Sequence, residues 1–133
     1  MDTHKKLVVV YHGQVMLEFD RGVAVPGKQR QYLDEMDQRM DQGIRLGKDE
    51  ITQPNPLQRA QFVANSMVNA LMKENNNQAI AMCTYLAKRI PELEQVKAIS
   101  KDDGALSIEL VFDRSFEKAQ QEQTVEFLDS KLN

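Results

Sequence analysis

Apolar residues form strand-like runs towards both ends of the chain, and between these runs the apolar residues recur at helical spacing. The first of these runs, residues 7–11, is apolar throughout and rich in β-branched and aromatic residues, which favours a strand. His12 and Gly13 follow as a two-residue turn, because glycine readily adopts a positive φ. With a return strand over residues 14–19, the sequence predicts a β-hairpin over residues 6–20.

The turn also predicts the register of this hairpin. A turn at residues 12 and 13 places Val9 opposite Met16. One face of the hairpin then carries the apolar residues Val8, Val10, Val15, Leu17 and Phe19. A shift by one residue would move every side chain to the opposite face, so this sorting favours the predicted register.

A narrow apolar stripe predicts a helix over residues 28–45. The stripe consists of Tyr32, Leu33, Met36, Met40 and Ile44. The rest of the segment is polar, and it contains acid-then-base pairs such as Asp41 and Arg45 at i,i+4, which favour an exposed helix face. Residues 48–54 are predicted to form a loop.

An αα-hairpin is predicted over residues 56–90. Asn55 and Pro56 form a strong helix start, with a capping side chain before a proline at the first helical position. The asparagine run at residues 75–77 separates two helices, since asparagine favours caps over helix interiors. Apolar residues cover more than one side of the second helix, which predicts that it is deeply buried.

A second β-hairpin is predicted over residues 95–113, because an Asp-Gly turn at residues 102–104 lies between alternating apolar residues. A sparse apolar stripe then predicts a C-terminal helix over residues 115–132. The elements together predict an α+β fold in which two β-hairpins form one antiparallel sheet, packed with the αα-hairpin and two further amphipathic helices. A length of 133 residues is typical of a single domain, here over residues 1–133.

Composition excludes several function classes. The formal net charge of -3 argues against a general nucleic-acid coat and against a polybasic membrane-surface protein. No apolar run reaches the roughly 18 residues of a transmembrane helix, and the N-terminus does not resemble a signal peptide. The single cysteine, Cys83, excludes an internal disulfide and a thiolate-rich zinc site, which favours a reducing cytoplasm.

For each candidate catalytic group, a structural role is favoured over a catalytic one. His4 and His12 lie in a terminus and a turn, and neither has a neighbouring partner of the kind a metal site or a nucleophile pair shows. Cys83 lies inside a predicted helix among apolar residues, where a cysteine acts as a small hydrophobic side chain. No phosphate-binding loop or hydrolase motif occurs. We therefore assign no catalytic residue and no cofactor.

Two charged patterns have alternative interpretations. Asp34, Asp37 and Asp41 share one helix stripe and could supply oxygen ligands to Mg²⁺ or Ca²⁺. A solvated face is favoured over a metal site, because one helix supplies too few ligands. The αα-hairpin is locally basic, but the basic residues are spread out and only Tyr85 could stack on a base, so a solvated face is again favoured over nucleic-acid binding.

The leading hypothesis is a small cytoplasmic, non-enzymatic interaction or regulatory domain that self-associates, most simply as a homodimer, or binds another protein. The sheet edges of two hairpins need covering, and the stripe of Tyr32, Leu33, Met36, Met40 and Ile44 is the candidate interaction surface. The alternative is a small enzyme or ligand-binding protein with a pocket between sheet and helices. In it Asp34, Asp37 or Asp41 would act with Arg21, Lys28 or Tyr32. Weak nucleic-acid binding by the αα-hairpin is a third hypothesis.

Overall fold

The computed structural model describes residues 6–22 and 27–112. Within these ranges six strands and three helices follow one another. They are β1 (Lys6–Tyr11), β2 (Gln14–Asp20), α1 (Gly27–Met40), β3 (Ile44–Leu46), β4 (Asp49–Ile51), α2 (Pro56–Met72), α3 (Asn76–Arg89), β5 (Gln95–Ser100) and β6 (Leu106–Val111). The mixture of helices and strands confirms the predicted α+β class. The predicted helix over 115–132 lies outside the described residues.

The two predicted hairpins form one sheet with the strand order β2-β1-β5-β6. Both hairpins are antiparallel internally, but β1 and β5 run parallel where the hairpins meet. The sheet is therefore mixed, and the prediction of an antiparallel sheet is wrong at this junction. The chain between β2 and β5 contains three helices, and a long crossover of this kind is what parallel neighbours require.

The first hairpin departs from its predicted register at a β-bulge. The residues next to the turn pair as predicted, but Val9 then lies opposite Leu17. Met16 is the extra residue, and its predicted pairing with Val9 is wrong. Since one inserted residue reverses the facing of everything beyond it, Leu17 and Phe19 join Leu7 and Val9 on the core side of the sheet.

The helices pack against this core side. The sheet contributes buried side chains of β1 and β5, and the helices contribute apolar residues from α1, α2 and α3. β1 is the most enclosed strand, because Val8 and Val10 on its other side are also buried. Among the described residues, no helix is long and apolar enough to cross a membrane.

The helix predicted over 28–45 is shorter than expected. α1 ends at Met40, and Gly43 has a φ of +111°, which a helix cannot accommodate. A Cβ at Gly43 would also lie 3.3 Å from the carbonyl oxygen of Ile51. The chain then forms the small hairpin of β3 and β4, so the predicted loop contains a strand.

The other boundaries follow the predicted caps and turns. Asn55 accepts a hydrogen bond from the backbone N–H of Gln58 at 2.8 Å, and the side chain of Gln58 accepts from the backbone of Asn55 at 2.9 Å. This capping box begins α2, as expected. Asn75 caps α3. In the second hairpin Gly104 has a φ of +85°, as its turn requires.

Candidate functional site

The three aspartates of α1 meet two arginines from the neighbouring helices. Nη1 of Arg59 on α2 donates to Oδ1 of Asp37 at 3.1 Å, and its Nη2 donates to Oδ1 of Asp41 at 2.5 Å. Arg89 on α3 donates to Asp34, and its Nε lies 3.5 Å from Oδ2 of Asp37. Asp37 is therefore the centre of a polar network that joins α1, α2 and α3.

Tyr85 on α3 completes this polar network. Its hydroxyl donates to Oδ1 of Asp37 at 2.5 Å. Burial raises the pKa of Tyr85, and the hydrogen bond to Asp37 acts in the same direction because it favours the protonated hydroxyl. Tyr85 is therefore a hydrogen-bond donor at neutral pH, and its hydroxyl donates to a carboxylate that Arg59 and Arg89 also bind.

The guanidinium of Arg59 forms several hydrogen bonds with other groups of the same chain. Besides its two ion pairs, it donates through Nε to the carbonyl of Pro54 at 3.2 Å and through Nη1 to the carbonyl of Asp37 at 3.1 Å. The hydrogen bond to Asp41 raises the pKa of Arg59, and the bond to Asp37 adds to this effect. A ligand at this site would have to displace internal hydrogen bonds of Arg59.

An open depression of about 470 Å³ lies above the polar network. Pro54, Pro56 and Ile90 form its apolar wall, and Asp37 and Arg89 are among its polar lining residues. Arg89 is partly exposed and has donors beyond those that contact Asp34 and Asp37. The depression could therefore hold a small anionic group through Arg89, but it lies between helices and not between the sheet and the helices.

Among the described residues, the three aspartates of α1 pair with arginines and are not arranged with further ligands that could hold a metal ion. In the described part of the chain, no group of three or more histidine, cysteine, aspartate or glutamate side chains is arranged to hold a metal ion. The predicted pair of Asp41 with Arg45 is also absent there. Arg45 lies on β3 and donates to Glu50 of β4 at 2.7 Å, because the helix ends before it. Asp41 contacts Arg59 instead.

Arg21 lies apart from the aspartates and holds the end of α3. It donates through Nε to the carbonyl of Ala87 and through Nη2 to that of Ile90, both at 3.2 Å, and it also donates to the carbonyl of Leu93. Burial lowers the pKa of Arg21. Within residues 6–22 and 27–112, no hydrogen bond or ion pair joins Arg21, Lys28 or Tyr32 to the three aspartates.

The predicted interaction stripe lies mostly inside the chain's own core. Leu33, Met36, Met40 and Ile44 are buried and belong to the core cluster. Tyr32 is partly buried and lines a groove of about 260 Å³ between α1 and α3. An interface through this stripe stays a prediction, and it would require α1 to leave the core.

The surroundings of Cys83 and His12 indicate that both side chains help to stabilise the fold. Cys83 is fully buried, and burial raises its pKa to about 12, so the thiol is protonated at neutral pH. Nε2 of His12 accepts a hydrogen bond from the backbone N–H of Ser100 at 2.9 Å. The backbone N–H of His12 donates to the carbonyl of Ala98 at 2.9 Å. His12 therefore ties the first turn to the end of β5.

The two outer strands of the sheet differ in how their free edges are protected. β2 carries the bulge at Met16, and its Glu18 forms an ion pair with Lys6 of β1 at 3.7 Å. Bulges and charges discourage pairing with another chain. β6 has regular pairing with β5, and among the described strands none pairs with its other edge. Its only charged residue is Glu109.

Comparisons with protein-family models, with curated proteins and with solved structures find no match to this chain.

Proposed function

We propose that this chain is a small, non-enzymatic interaction or regulatory domain of the cytoplasm that self-associates as a homodimer. The observation that supports this proposal is the regular, nearly uncharged outer edge of β6. Unpaired backbone groups on such an edge favour pairing with another chain. The other edge of the sheet carries a bulge and an ion pair, so one edge is the favoured place of contact.

The described side chains with catalytic potential are engaged in structural interactions. Asp37 binds Tyr85, Arg59 and Arg89, and Cys83 is buried and protonated. The thiol of Cys83 is not activated and the carboxylate of Asp37 is surrounded by its partners, whereas nucleophilic and acid–base catalysis require an activated nucleophile or an accessible base. Neither Asp37 nor Cys83 therefore supports a role in catalysis.

Light scattering on the purified full chain, across low to high micromolar concentrations, tests the proposal. Self-association predicts that the mass rises from 15.2 kDa towards twice that value as the concentration increases. A mass that stays at 15.2 kDa at every concentration contradicts self-association.

The alternative is ligand binding in the depression beside Arg89, whose partly exposed guanidinium has unused donors. A thermal-shift screen with small carboxylates and inorganic phosphate tests it, with Arg89→Ala as the variant. A rise in the unfolding temperature of the wild type that Arg89→Ala abolishes would support the alternative. No shift with any of these anions would contradict it.

The third hypothesis, weak nucleic-acid binding by the αα-hairpin, loses support from the ion pairs. Arg59 and Arg89 are neutralised by aspartates of α1, and Lys88 donates to the carbonyl of Arg21 at 2.9 Å. Lys73 alone adds little positive field. Affinity for DNA or RNA that falls steeply with salt would nevertheless support the hypothesis.

A further inference from the structure

We infer that β6 pairs antiparallel with β6 of a second copy, about a two-fold axis at Ile108, and so joins the two four-stranded sheets into one. This inference rests on the proposed self-association and identifies the surface that carries it. It follows from three features of β6, namely which backbone groups are free, which residues share a face and where its single charge lies.

The hairpin register identifies the backbone groups of β6 that no described strand pairs with. The backbone N–H of Lys101 donates to the carbonyl of Ala105 at 2.8 Å, so these two residues form a hydrogen-bonded pair. In an antiparallel ladder such pairs alternate, so Ser107 and Glu109 direct their backbone groups towards β5. The residues that direct N–H and C=O groups to the outer edge are Leu106, Ile108 and Leu110.

Symmetry then restricts the possible registers. A two-fold axis perpendicular to the sheet keeps each face on its own side, so only residues of the same face can lie opposite each other. An axis at Ile108 places Leu106 of one copy opposite Leu110 of the other. All outward groups of the strand are then paired, in about six intermolecular hydrogen bonds.

A two-fold axis at either residue next to Ile108 is less favourable. An axis at Glu109 would place two carboxylates directly opposite each other, which is destabilising. An axis at Ser107 would place Leu110 opposite Gly104, which lies in the turn. With the axis at Ile108, Glu109 of each copy faces the neutral Ser107 of the other. Of these three registers, the one with the axis at Ile108 is therefore the most complementary.

The side chains of the edge fit a second copy of the same surface. Leu106, Ile108 and Leu110 lie on the core side of the sheet and are only partly buried. In the proposed pairing each of them packs beside an apolar residue of the other copy. The pairing therefore buries the apolar side chains that a single chain leaves partly exposed at the edge of its core. An apolar edge of this kind favours an identical partner over a charged one.

Two substitutions at Ser107 test the register, because they should change the dissociation constant of the dimer in opposite directions. Ser107→Glu places a carboxylate opposite Glu109 of the other copy, whereas Ser107→Lys places an ammonium there. Within one chain, the residue directly opposite Ser107 is the neutral Ile99, so neither variant places a charge directly opposite another charge of the same chain. Two such pairs form per dimer, so we expect the dissociation constant to change about twofold to thirtyfold, with weaker binding for Glu and tighter binding for Lys.

Ile108→Pro supplies an independent test. The N–H of Ile108 points away from β5, so proline removes a contact between copies and keeps the ladder to β5. Sedimentation of this variant should show the single-chain mass, with circular dichroism confirming the native secondary structure.

The outcomes separate the two proposals. Opposite shifts for the Ser107 variants support the β6 interface. A dimer whose dissociation constant is the same in both variants overturns the β6 interface and leaves self-association standing. A wild-type chain that stays a single copy overturns both. If Ile108→Pro fails to fold, the Ser107 pair still decides.

Discussion

Substitutions at the methionines of α1, Met36 and Met40, distinguish a role of this helix in the core from a role in an interface. Met40 is 4 % exposed and Met36 9 %, and both belong to the core cluster. Met40→Ala truncates a buried side chain. Met72→Ala makes the same chemical change where the side chain is 41 % exposed, and so provides a matched control.

The structure sets the size of the expected effects. Truncating a buried methionine to alanine costs about 2–4 kcal/mol, through lost apolar transfer and the cavity left behind. The same change on the surface alters the free energy of unfolding by less than about 0.5 kcal/mol. A domain of this size has a total stability of about 5–15 kcal/mol, so Met40→Ala remains folded. Met40→Glu buries an unpaired carboxylate, and we expect it to cost more than about 4 kcal/mol.

Urea unfolding followed by circular dichroism measures these differences, because the chain has no tryptophan for fluorescence. The measurement is made at a concentration where light scattering shows single chains. We expect Met40→Ala to lower the midpoint strongly and Met72→Ala to leave it unchanged. If Met40→Ala leaves the unfolding of single chains unchanged but weakens a dimer, the core role is refuted and the stripe becomes the interface.

Three further predictions concern the polar network, the buried thiol and a helix cap. Tyr85→Phe removes the donor to Asp37 and should lower the free energy of unfolding by about 1–2 kcal/mol. In a double-mutant cycle with Asp37→Asn, a coupling near zero would refute the hydrogen bond. For Cys83 the folded pKa of about 12 exceeds the unfolded value of 9.0, so the unfolded thiol ionises first and stability falls as the pH rises above 9.0. Between pH 9 and 10.5 wild type should lose about 1.6 kcal/mol more than Cys83→Ala, and parallel curves would contradict the buried thiol. Asn55→Ala should cost about 1 kcal/mol in the same unfolding assay, and Gln58→Ala should cost part of that, because both break the capping box.

The features that the sequence predicts well are local ones. The turn at residues 102–104 and the starts of α2 at Asn55 and of α3 at Asn75 depend on residues within a few positions of each other. Their chemistry is therefore visible in a short window. The extra residue at Met16 is not, because a bulge depends on which strand lies opposite and how the core fills.

Long-range pairing escapes sequence patterns for a related reason. The parallel contact of β1 with β5 depends on the direction in which the chain returns after three helices. The polar network has the same character. Asp37 is 22 residues from Arg59 and 48 residues from Tyr85. Spacing within α1 brought the three aspartates onto one stripe, but nothing in a local window identified the arginines that face them.

The two stripes of α1 together explain why a mostly polar helix is held in this fold. Its methionines reach the core, and its aspartates hold Arg59 and Arg89 on the helices beside it. A narrow apolar stripe on a polar helix suggested a surface in need of a partner, and that partner is found within the same chain. The outer edge of β6, which no described strand pairs with, is therefore a more favourable place than α1 for a second copy to bind.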